Sequence, residues 1–200
     1  QVGGLTCCVL ALATLTLIAA QSVVLSCVPW VADQPITWAH FQGPPPHDAA
    51  LRSEAAAIHM TIAWRATYTV STQDRVNWVG RVSSVTVTNT MDPSRSWVVP
   101  GKGTPELLQH EQTHFDLNEV YRRRIEAALQ GIAACHGVDQ NDAVRRLDAQ
   151  LHALAEAQLQ ELEEMQSRYD AETAHGVNDA EQMRWEDQVR QWLQSSVLTP

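Results

Sequence analysis

The segment Leu107-Leu108-Gln109-His110-Glu111-Gln112-Thr113-His114-Phe115-Asp116-Leu117 sets two histidines four residues apart, with a glutamate directly after the first. It follows Thr104-Pro105-Glu106, which reads as a helix start: a capping hydroxyl, a proline where its missing N–H is harmless, and an acid in the first turn. The pattern predicts a helix from Thr104 to Leu129, with Gly131 and Gly137 marking its end and a linker. On such a helix His110 and His114 project from one face.

That face suits a divalent metal. Zinc takes neutral imidazole nitrogens at about 2 Å, and a one-turn spacing offers two of them without straining the backbone. Glu111 lies about 100° round the helix, so it flanks the metal and is placed to act as a base toward water. Asp116 and Glu119 fall about 160° and about 140° from His114 and are expected to be exposed, or to support something else. Tyr121 shares the histidine face and reads as a core aromatic. A third ligand must come from further along, where His136, His152, Asp170, Glu172 and His175 are candidates that spacing does not separate. Tyr169, beside the segment that holds the last three of these, is a candidate oxyanion donor or an aromatic closing an apolar stripe.

Upstream, the period changes from helical to twofold. Ile58, Met60, Ile62, Trp64, Ala66, Tyr68 and Val70 alternate with His59, Thr61, Arg65, Thr67 and Thr69, which predicts a strand. A second β-rich run spans Trp78 to Met91, its alternation slipping at Ser83-Ser84 as at a bulge. Trp97-Val98-Val99 reads as a short third strand. Before them, Pro35-Ile36-Thr37-Trp38-Ala39-His40-Phe41 alternates briefly and runs into the stiff loop Gly43-Pro44-Pro45-Pro46.

Downstream, Val144, Leu147, Leu151, Leu154, Leu162, Met165 and Tyr169 form one apolar stripe, predicting a long helix from about Asn141 to Thr173. Asn178 or Asp179 caps a last helix carrying Met183, Trp185, Val189 and Trp192. No internal repeat or second domain is evident. The predicted class is α+β: a small antiparallel sheet, then three helices, the first a zincin-like active-site helix, in one domain over residues 33–200.

The 200-residue chain carries a net charge of −9. Residues 106–200 hold eighteen acids against eight bases, whereas residues 33–105 hold five against six. Without clustered Lys and Arg there is no seat for a phosphate backbone, so nucleic acid is excluded as a partner. Lys102 is the only lysine among fourteen bases and reads as coding bias rather than chemistry.

The first charge is Asp33. Before it, Cys7 to Ala20 is an apolar run of signal-peptide length, with Ala19-Ala20 as a cleavage point before Gln21. Taken instead from Val9 to Val28, the run is long enough to anchor the domain in a membrane. Val24-Leu25-Ser26-Cys27 is an off-register lipoprotein box. Residues 1–32 are therefore expected to be a signal peptide or N-terminal anchor. The protein is expected to be exported, periplasmic or secreted, and to touch a membrane only through that leader. In such a compartment Cys27 and Cys135 either join as a disulfide or stay free.

Three pieces stand out in order: Ile36-Thr37-Trp38-Ala39-His40-Phe41-Gln42-Gly43; then Leu108 to Leu117; then Tyr169-Asp170-Ala171-Glu172-Thr173-Ala174-His175-Gly176, followed by Gln182 and Trp185. Together they resemble a bacterial family of unknown function whose members are expected to be secreted zinc-dependent proteases. The resemblance implies bound Zn2+, His175 as third ligand beside His110 and His114, Glu111 as catalytic base, and a protein or peptide substrate. Two rival readings stand beside it. One is a non-catalytic, zinc-stabilised binding module of the envelope; the other is an amidase acting on cell-wall peptides.

Overall fold

The structure is a computed structural model that describes residues 27–49 and 54–195. The expected cleavage point and most of the expected leader lie outside the described residues. Among the described residues no helix is long and apolar enough to cross a membrane.

The chain runs β1 (Val28–Pro29), a 3₁₀ turn (Trp38–His40), β2 (Ala56–Ala57), β3 (Met60–Thr72), β4 (Trp78–Met91), β5 (Trp97–Val98), α1 (Pro105–Gln130), β6 (Cys135–Gly137), α2 (Gln140–Thr173) and α3 (Asp179–Gln194). The fold is α+β, with five antiparallel strands first and three helices after them, the short β6 lying between α1 and α2 in the chain. The main sheet has the order β1-β4-β3, and β6 also pairs with β4. β2 and β5 form a separate antiparallel pair, so the expected third strand stands apart from the main sheet. The brief alternation at residues 35–41 is a 3₁₀ turn, because Ile36 and Phe41 bury themselves from a loop and need no ladder.

Among the described residues the fold divides into two compact units, one of residues 64–87 and 125–158, the other of residues 27–49, 54–63, 88–124 and 159–195. In the first, β6 pairs with the start of β4, Gly80 opposite Cys135 and Trp78 opposite Gly137. Leu147, Leu151 and Leu129 are buried there, which is where the apolar stripe of the long helix points. On β4 the adjacent Ser83 and Ser84 are both exposed, and burial switches parity across them as expected of a bulge. Gly137 is needed for close approach: a Cβ there would stand 2.3 Å from the Ala143 backbone nitrogen. Cys135 is buried with its thiol toward Gln150 Oε1 at 3.2 Å, and both Cys135 and the exposed Cys27 are free thiols. The Cys27–Cys135 disulfide is not formed.

The second unit holds two apolar clusters. One joins Leu117, Val120 and Tyr121 of α1 to Leu162 and Tyr169 of α2 and to Trp185 and Val189 of α3. The other gathers Ile36, Phe41, Met91 and Phe115. Between them, α1 is buried on nearly every side over Glu111–Tyr121. Val28 and Pro29, within the stretch read as leader, pair with Met91 and Thr90 of β4. Trp30 donates its indole N–H to Asp116 Oδ1 at 2.7 Å, so Asp116 supports the chain entry. Glu119, expected to be exposed or to support something else, is buried, its carboxylate neutralised by Arg122 and Arg123 one turn on.

Candidate metal centre

The parts of three helices that lie in the second unit build the site. Thr104 Oγ1 accepts from the Leu107 N–H at 3.2 Å and starts α1, which sets the rotation of His110 and His114. Both imidazoles are buried, as is Glu111. Tyr169 of α2 packs on both rings, stacked on His110 at 4.8 Å and edge-on to His114 at 4.7 Å.

α2 presents Gln166 and Asp170, one turn apart, to the histidines. Asp170 Oδ1 lies 3.2 Å from His110 Nε2 and 3.0 Å from His114 Nε2, and the two Nε2 atoms are 3.2 Å apart. Ligands about 2.05 Å from a tetrahedral zinc lie about 3.3 Å apart, so this triangle is close to three corners of a zinc site.

The hydrogen bonds behind the rings decide what those corners are. Gln166 Nε2 donates to His114 O and to Asn118 Oδ1, both at 2.9 Å, so its Oε1 is the atom that meets His114 Nδ1. Gln182 Nε2 donates to Glu186 Oε1 at 2.8 Å, and Gln182 Oε1 accepts from the Tyr169 hydroxyl at 2.8 Å and from His110 Nδ1 at 3.1 Å. Both neutral imidazoles therefore carry their proton on Nδ1 and turn a bare Nε2 toward a carboxylate oxygen. Three lone pairs converge with no hydrogen between them. Only a cation or added protons can satisfy that arrangement, and fixed Nδ1–H tautomers are what a metal requires of its imidazoles.

In the metal-free chain, added protons meet that demand. Burial opposes the charge on Asp170, but hydrogen bonds and positive potential from the histidines in their protonated form hold its pKa well below the usual carboxylate range. Burial likewise opposes a charge on His114, yet Asp170 and Glu111 outweigh it and raise its pKa. Glu111 is pushed up by burial, and its Oε2 accepts from the Ile58 N–H at 2.9 Å. These four residues line one cleft of about 510 Å³, walled on the apolar side by Ala55–Ile58, Met60 and Leu107.

A family model described as "Bacterial protein of unknown function (DUF922)" matches residues 42–176. The chain belongs to this family. No curated protein and no solved structure matches it. The matched span of this DUF922 chain takes in His110, Glu111, His114, Asp170 and His175.

Of the five candidates for third ligand, the structure brings Asp170 to the histidines. His175, which the resemblance implied, stands outside the triangle. Its side chain is 57% exposed and its Nδ1 is 3.5 Å from Asp170 Oδ1. The cause lies in the end of α2. Ala174, His175 and Gly176 all take positive φ (49°, 55° and 81°), and this reversal leaves His175 largely exposed where it lines the cleft. Gly176 permits the close approach, since a Cβ there would meet His110 Cβ and Cγ at 3.1 Å. His136 and His152 are exposed residues of the first unit, His152 resting on Trp64. Glu172 pairs with Arg168 and Arg184. Tyr169 is fully buried with its hydroxyl committed to Gln182, so it orients the histidines rather than facing an oxyanion. Gln166 was missed in the sequence; its signal was the one-turn spacing to Asp170 that mirrors His110 and His114.

Proposed function

We propose that this DUF922 protein is a zinc-dependent peptidase of the bacterial cell envelope, with His110, His114 and Asp170 holding the metal and Glu111 as catalytic base. The observation that carries the reading is the convergence of three lone pairs, with both imidazole tautomers held by glutamines behind them. When bound, the metal supplies Lewis-acid chemistry, polarising a scissile carbonyl and easing the deprotonation of water.

The chain's own residues do the rest. The Ile58 amide fixes the Glu111 carboxylate on the cleft wall, and burial makes it more basic than an ordinary carboxylate. Such a group takes the proton of an attacking water at neutral pH and returns it to the leaving amine. The apolar wall receives side chains of an extended substrate. Export follows from the apolar leader and remains part of the proposal.

The test uses a chain beginning at Cys27, so that β1 is kept. Elemental analysis should find about one zinc per chain. Glu111→Gln should keep that zinc and lose hydrolysis of unfolded casein by at least about a hundredfold. Undiminished cleavage by the variant rejects this mechanism. Release of peptides from purified cell wall, with casein untouched, moves the substrate to the amidase reading.

A further inference from the structure

We propose that Lys102 recognises a carboxylate on the substrate, so that this cleft takes peptides bearing a negative charge close to the scissile bond. The inference rests on the peptidase reading and supplies its substrate class.

Lys102 is the only lysine in the chain and lines the same cleft as His110, Glu111, His114 and Asp170. Its charge is unspent. Of the described Lys and Arg residues, Lys102 is the one that lines this cleft. The Lys102 ammonium has neither an ion pair nor a hydrogen bond among the described residues. The acids that share the cleft are engaged. Glu106 bonds its own backbone N–H and the Thr104 hydroxyl at the start of α1, and Glu54 also has a partner. Asp170 and Glu111 belong to the centre itself.

The loop presenting Lys102 is built to hold it out. The Lys102 N–H donates to Val99 O at 2.9 Å. Gly101 takes φ +78°, a conformation that favours glycine, and a Cβ on Gly103 would press on the Trp38 indole at 3.1 Å. The backbone is pinned while the four-carbon stem stays free to reach into the cleft. A lone ammonium facing a peptide cleft fits a carboxylate, either a free C-terminus or an Asp or Glu side chain.

Binding can be measured without turnover, by calorimetry on zinc-loaded Glu111→Gln. The probe is an N-acetylated apolar pentapeptide in four versions, ending in carboxylate or carboxamide and carrying Asp or Asn at its third position. Charged versions should bind tighter than the neutral one. Lys102→Met should remove about three- to tenfold of that preference and leave the neutral peptide unchanged, with Lys102→Arg restoring it. The version that loses affinity identifies the source of the charge. Equal binding of all four versions, equal weakening of all four by Lys102→Met, or no binding of any version overturns the proposal. Charge-dependent binding beside a wild type that cleaves nothing removes the catalysis and leaves the role of Lys102 standing.

Discussion

Asp170 and His175 are five residues apart; the resemblance implied His175 as third ligand, whereas the structure sets Asp170 Oδ1 against both histidines, with His175 3.5 Å from it. His110, Glu111 and His114 could be read directly because one helical turn fixes their relation without any knowledge of the rest of the chain. The third corner is sixty residues away in sequence from His110 and depends on how α2 packs against α1, which local spacing does not report. The reversal at Ala174–Gly176 then takes His175 out of the group. Asp170→Asn should therefore lower zinc affinity by more than the roughly 10–100-fold typical of an outer-shell partner. His175→Ala should leave zinc bound. Competition against a chromophoric chelator measures both, and loss of zinc from His175→Ala with retention in Asp170→Asn would return the third position to His175.

Elements were legible in proportion to their length. α1 and α2 begin and end within a residue or two of the expected limits, and β4 spans Trp78–Met91 as predicted, since caps and long periodic runs are local signals. The two-residue strands β1 and β2 and the three-residue β6 were not, because each exists only through a partner far along the chain. Gly137 shows what that hides. In sequence it reads as a linker glycine, but in the structure it lets β6 lie against the start of α2. Gly137→Ala puts a Cβ 2.3 Å from a backbone nitrogen that has no side-chain torsion with which to yield. The expected cost is about 1–3 kcal/mol, lowering the thermal midpoint by about 2–4 °C for each kcal/mol. An unchanged midpoint would mean that β6 and α2 separate freely.

At the scale of the whole molecule, the three proposed ligands belong to one of the two compact units, and a metal there ties α1 to α2 between positions as much as sixty apart in sequence. The binding free energy is then available to that unit's folding, because the unfolded chain has no triangle to offer. A chain of net charge −9 gains further from a cation beside Asp170 and the buried Glu111. With free zinc at 100–1,000 times its dissociation constant, stabilisation of about 3–4 kcal/mol corresponds to a thermal midpoint about 5–15 °C higher. Removing zinc with a chelator should lower the midpoint by that amount. Hydrogen exchange should then rise in residues 105–124 and 159–176 more than in residues 64–87 and 125–158. The comparison separates two designs. If exchange rises only around the triangle, the cleft owes its shape to the metal, and apo protein would bind peptide poorly as well as fail to cleave it. If chelation leaves both midpoint and exchange unchanged, the glutamines and Tyr169 already hold the histidines in place, and the metal serves chemistry alone.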